Sequence, residues 1–249
     1  MKPVILLLIV AFFFSCKQEK DLSKLSATAI IDRAIDVACN GNCDQTIISF
    51  TFRDRKYKST RLGSDYQLER FKTDSLNVVH DVLSNTGFKR FVNDSLIVLP
   101  DSIALNIADG VNSVHYFIQL PFGLNAAAVH KKLLGEDSIK GVGYYEIEVT
   151  FSEEGGGTDF DDRFVYWIHK ENFTVDYLAY RYATNEGGMR FREAYNIRVI
   201  EGIRFVDYNN YKPNSLDGKL EDMDALFGKG ELKLLSKIEN ENVLVELLK

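Results

Sequence analysis

The amino-acid sequence predicts an α+β protein. It reads as a single strongly curved antiparallel β-sheet with an N-terminal amphipathic helix and a few short helices covering one face. Three observations predict this. Segments such as 143–152 (GYYEIEVTFS), 163–169 (RFVYWIH) and 174–183 (TVDYLAYRYA) are rich in aromatic and β-branched residues. They follow one another through short glycine-containing loops, as in an antiparallel meander. One apolar helical face, at 27–38, precedes them all.

The first element is not part of that domain. Lys2 is followed by uninterrupted apolar sequence from Val4 to Phe14, too short to cross a bilayer core of about 30 Å, which takes roughly 20 helical residues. A charged start, a short apolar stretch and a small residue before the cut describe a secretory signal peptide over 1–15. Phe13-Phe14-Ser15-Cys16 resembles the lipobox of bacterial lipoproteins. That resemblance implies that Cys16 is acylated, becomes the first residue of the mature chain and holds it to a membrane. Residues 16–25 would then be the lipidated N-terminus and tether, and 26–249 a single curved-sheet domain. Lys17, rather than aspartate, follows the cysteine. By analogy with lipoprotein sorting signals this favours the outer membrane, with the periplasmic or the outer surface left open.

With Cys16 assigned to lipid, Cys39 and Cys43 form an even pair in an oxidising compartment. The spacing is not C-x₂-C, and no further ligands follow at zinc-finger spacing, so a structural disulfide is expected. Closing so short a loop stabilises by roughly 2 kcal/mol. The formal charge is −6, which lacks the basic footprint of a nucleic-acid binder.

Ser26 stands as N-cap before Ala27, Ile30, Ile31, Ala34, Ile35 and Ala38, and Asn40-Gly41 ends the helix. Ile48, Phe50 and Phe52 alternate in the first strand, 47–52. Segments 56–62 and 66–72 flank a hairpin at Gly63-Ser64-Asp65. Further strands are expected at 76–83, 88–92 and 96–99. Residues 101–120 read as partly helical after Pro100. Asn125 is expected to cap a short helix over 126–134 that ends at Gly135. Strands at 189–200 and 202–211, a helix at 220–227 and two closing strands complete the domain.

Two resemblances extend this. The helix leading into Phe50-Thr51-Phe52-Arg53-Asp54-Arg55-Lys56-Tyr57, and the stretch Tyr166–Phe173, resemble the periplasmic lipoprotein carrier and receptor (LolA/LolB-like) family. That family implies a half-barrel sheet cupping a hydrophobic cavity under a helical lid. More closely, EVTFSEEGGGTDFDD, VDYLAYRY, RFREAYN and EGIRFVDYNNYKP resemble an uncharacterised family of gram-negative bacterial lipoproteins of unknown function. The closer resemblance spans most of 26–245 and implies no activity.

Enzyme motifs are missing: there is no G-x-S-x-G, H-E-x-x-H or Walker A loop. His80, His115, His130 and His169 are dispersed and read as structural. Glu153, Glu154, Asp159, Asp161 and Asp162 surround three glycines. Asp159, Asp161 and Asp162 are weak calcium candidates against the favoured reading of a solvated loop, free to meet a partner. Four Asp-Ser-aliphatic triplets, at 74, 94, 101 and 137, resemble an O-glycosylation consensus and serve equally as turn chemistry. No cofactor is expected.

The leading expectation is therefore a lipid-anchored envelope protein binding a hydrophobic small molecule, acyl chain or lipoprotein. The chain holds 12 Tyr and 17 Phe, most of them core. From alternation alone, Phe50, Phe52, Val165, Trp167, Leu178 and Tyr180 are the candidate cavity residues. The alternative is an envelope protein–protein interaction module without ligand, and an enzyme ranks last.

Overall fold

The computed structural model describes residues 25–184 and 186–248, so the expected signal segment and Cys16 lie outside it. Helix α1 (Ala27–Cys39) is capped by Ser26, whose side chain accepts a hydrogen bond from Ala29 N. It ends where Asn40 turns left-handed. Ile30, Ile31 and Ala34 form its buried face, and the Cys39–Cys43 disulfide ties its end to the strand that follows.

Six strands then run as a meander: β1 (Gln45–Phe52), β2 (Arg55–Leu62), β3 (Asp65–Thr73), β4 (Val78–Ser84), β5 (Gly87–Val92) and β6 (Ser95–Ile97). Helix α2 (Asp101–Ile118) and a 3₁₀ turn (Phe122–Asn125) lead into β7 (Val129–Ile139), β8 (Val142–Phe151), β9 (Arg163–His169), β10 (Val175–Tyr182), β11 (Gly188–Ile200) and β12 (Ile203–Lys212). Helix α3 (Met223–Gly228) precedes β13 (Lys233–Ile238) and β14 (Glu241–Leu247).

The strands form two sheets, not one. The first is ordered β14-β1-β2-β3-β4-β5-β6 and the second β13-β12-β11-β10-β9-β8-β7, both antiparallel. The meander stops at β6 because α2 carries the chain away, so β7 starts a new edge. Two residues after β13 leaves the second sheet, β14 starts and pairs with β1, which joins the sheets at one side.

The helices also depart from expectation. α2 is one unbroken helix between the sheets: it packs on β3, β4 and β5, while Tyr116 and Phe117 meet Phe164 and Tyr180 of the second sheet. The expected helix at 126–134 is instead a short turn after the 3₁₀ segment and the first half of edge strand β7. Gly135, read as a helix stop, sits at a bulge where the register shifts between Leu133 and Gly135. The exposed Lys132 suits such an edge.

Nor do the helices cover a single face. On one face of the second sheet, α1 and the end of α2 pack over Tyr145, Ile147, Phe164, Tyr166 and Leu178. On the other, the α3 region packs over Val165, Trp167, Tyr177, Ala179 and Phe191. β9 is therefore buried along both faces.

The first sheet carries a buried ion ladder. Arg70, Asp81 and Arg90 are direct neighbours across β3, β4 and β5. Asp81 is 2% exposed and accepts from Arg70 at 2.7 and 3.1 Å and from Arg90 at 2.6 and 3.0 Å. Burial raises its pKa, but hydrogen bonds from Arg90 and Arg70 outweigh that and hold the carboxyl below its usual range. Asp81→Asn should cost about 2 kcal/mol, since it replaces charge-assisted bonds by neutral ones. Urea unfolding at pH 7 checks this, and an unchanged midpoint would make the ladder decorative.

Candidate functional site

A cavity of about 370 Å³ lies between α2 and the second sheet. Strand register explains its floor. Tyr180 stands opposite Phe164 on β9 and Arg190 on β11. Leu178 stands opposite Tyr166 and Arg192. Directly opposed residues share a sheet face, so these two rows face α2 together. Tyr116, Phe117, Phe151, Phe164 and Tyr180 supply aromatic walls, and Arg190 and Arg192 lie at the β11 side.

The rings pack against one another. Phe164 stacks on Tyr180 at 5.3 Å and Phe117 meets Tyr180 at 5.4 Å. The Arg192 guanidinium sits 3.6 Å over the Phe117 ring and 5.1 Å over Tyr180, and Nη2 donates to the Tyr180 hydroxyl at 2.9 Å. Tyr182 turns over Gly188, the residue opposite it on β11. A Cβ there would stand 2.5 Å from the Tyr182 hydroxyl.

The acidic β8–β9 loop supplies the other end. Gly156, Gly157, Thr158, Asp159 and Asp162 line the cavity there, facing Asp109 of α2. Gly156 is required, because a Cβ would fall 2.1 Å from the Ser152 carbonyl oxygen. Burial, then Asp159 and Asp161, push the Asp162 carboxyl up to about 7, and its Oδ1 is buried without a hydrogen-bond partner. Asp159 is raised by burial and by Asp109 and Asp161. Asp161 is exposed and is not part of the lining. Among the described residues these carboxylates form no cluster of metal-binding geometry.

The sequence-derived cavity set divides. Tyr180 lines the cavity. Leu178 shares its face but is fully buried in the core beneath. Val165 and Trp167 stand on the opposite face, against the α3 region. Phe50 stacks on Tyr57 at 5.1 Å in the first sheet, and Phe52 is half-buried beside that cluster. Alternation marks positions that are buried or half-buried in the strands, but only cross-strand register assigns them to faces. Arg190 and Arg192 were passed over, although both lie in or beside the RFREAYN stretch. Tyr116 and Phe117 were passed over because 101–120 read as broken helix.

A larger hollow, about 450 Å³, lies at the seam of the sheets beside Arg198, Asp207 and Asn240. There Arg198 donates to Asp207 at 2.8 and 2.9 Å, and Asn240 N donates to it at 2.9 Å. Those charges are paired with one another, and no aromatic wall surrounds them.

A family model matches residues 2–240. The chain belongs to this family, DUF6503, a family of unknown function. No curated protein matches it. Among solved structures, a LolA superfamily protein from Nitrosomonas europaea is 16% identical with a TM-score of 0.50, covering 91% of this chain and 94% of its own. A DUF1329 family protein from Desulfovibrio piger is 14% identical with a TM-score of 0.51, covering 88% and 93%. At such identities the likeness is one of fold. This DUF6503 member therefore shares a LolA-like architecture of antiparallel sheets with few helices.

Proposed function

We propose that this protein is a lipid-anchored component of the bacterial cell envelope that binds an apolar chain in the cavity between α2 and the second sheet. Cys16 carries the lipid and residues 16–25 form the tether. The periplasmic face of the outer membrane is its place. Among the described residues no helix is long and apolar enough to cross a membrane. The observation that carries the reading is the cavity itself, with aromatic rings on its sides and charged groups at its ends. At about 370 Å³ it falls at the small end of ligand sites, which run from roughly 300 to 1,000 Å³. A LolA-like fold supports the reading at the level of architecture.

The chain exported with Cys16→Ser should leave the membrane fraction and bind a fluorescent fatty-acyl probe saturably. Phe151→Asp, at a half-buried wall position, should weaken that binding tenfold or more with a smaller loss of stability. A folded chain that never saturates with the probe would reject the reading. Membrane association and palmitate labelling that survive Cys16→Ser would reject the anchor.

A further inference from the structure

Arg192 is 7% exposed and lines the cavity. Among the described residues no carboxylate lies within salt-bridge distance of it. Tyr180 is its only hydrogen-bond partner there, and its Nε is buried without one. The buried carboxylates Asp81 and Asp207, by contrast, are each answered by arginine. The aromatic faces of Phe117, Tyr180 and Tyr208, at 3.6, 5.1 and 5.8 Å, compensate the cation only in part. A buried guanidinium with free N–H groups beside an open volume is a donor site for an anionic oxygen group, which its planar fork fits. Asp109, Asp159 and Asp162 are contributed by α2 and the β8–β9 loop, so charge of opposite sign is provided by different elements around the cavity.

We propose that Arg192 holds the anionic head, a carboxylate or phosphate, of an amphiphile whose alkyl chain runs between the aromatic walls. This rests on the cavity reading above and narrows it to anionic single-chain ligands. Arg181, next to Tyr180 on β10, points to the other face of the sheet, outside the cavity lining, and donates to the Leu216 and Gly218 carbonyls, so it serves as the comparison residue.

The test is calorimetric titration of the chain exported with Cys16→Ser, using dodecanoate, dodecyl phosphate, dodecanol and inorganic phosphate. Both anionic amphiphiles should bind at least tenfold more tightly than dodecanol, and inorganic phosphate at least tenfold more weakly than dodecyl phosphate. Arg192→Gln should bring the anions to the level of dodecanol and leave dodecanol unchanged, while Arg181→Gln keeps the preference. Where Arg192→Gln fails to fold, Arg192→Lys keeps the charge but loses the fork, and should cut the preference several-fold. Equal affinity for dodecanol and the anions overturns the head-group assignment and leaves the cavity reading standing. So does an unchanged preference in the Arg192 variant that folds. Inorganic phosphate binding as tightly as dodecyl phosphate overturns the amphiphile in favour of a free-anion site. Binding of none of the four overturns the cavity reading and this proposal with it.

Discussion

Trp167→Ala is expected to destabilise the protein by about 3–5 kcal/mol, the range for removing a large aromatic side chain from a core. Trp167 is fully buried and meets Phe191 edge-on at 5.6 Å. Val165, Ala179, Met189, Leu220 and Met223 belong to the same cluster. The α3 region is held to the sheet through this cluster, so the void would loosen that layer first. For a domain of this size the fall in Tm is roughly 6–20 °C. The folded fraction should bind an acyl probe as the wild type does, because the ring lies on the face away from the cavity. Lost binding at an unchanged Tm would place Trp167 in the binding site and refute this packing. A charged residue at the same position should prevent folding altogether.

Acid should weaken the fold between pH 6.5 and 4 through His115. This residue is fully buried, and its Nε2–H donates to the Glu69 backbone carbonyl at 3.1 Å. Its ring meets Phe50 and Tyr57 edge-on, each at 5.6 Å. Nδ1 is buried without a partner, so a second proton would be an uncompensated charge between the sheets. Burial lowers its pKa to about 4, the Glu69 carbonyl opposes this, and Arg61 adds to the lowering. A histidine in the unfolded chain titrates near 6.5. Below that value the unfolded state takes the proton and the folded state does not, so stability falls with pH until the folded value is reached. Integrated over the window, the loss is about 3 kcal/mol.

Burial acts with the opposite sign on Asp162 and Glu146, both raised to about 7, and on Asp224, raised to about 6. Those acids favour the folded state as pH falls. Total stability is therefore a poor readout, and the comparison must be between wild type and His115→Gln. The difference in urea midpoint between pH 7.5 and 4.5 should shrink or reverse in the variant. Parallel pH profiles would remove His115 as the acid-sensitive group. The Asp81 ladder does not confuse this window. Its carboxyl lies below the usual range, so its contribution is kept above about pH 4 and is lost only as pH falls through the lower folded value.

Much of the architecture was legible because it is local. Ser26 and the spacing from Ala27 to Ala38 specify α1. The glycine-punctuated runs specify most strands, and cysteine parity points to the Cys39–Cys43 bridge now seen in the fold. Pattern alone misread 126–134, where Asn125 and Gly135 look like a helix cap and stop but belong to a 3₁₀ turn and a strand bulge. Burial pattern gives depth, not direction. Trp167 and Tyr180 look alike in sequence, and only the pairing of Tyr180 with Phe164 and of Trp167 with Tyr177 puts them on opposite faces.

The sequence by itself determined most of the elements, the family resemblance and the apolar character of the core, because hydrogen bonding and side-chain period act over a few residues. Only the tertiary structure decided that the strands divide into two sheets with α2 between them. It alone brings Phe117 of α2, Phe164 of β9, Tyr180 of β10 and Arg192 of β11 around one cavity. The physical reason is distance along the chain. Arg192 and Phe117 are 75 residues apart, yet stand 3.6 Å from guanidinium to ring. A contact of that kind follows from the register of several strands and the docking of a helix, and no periodicity within either segment encodes it.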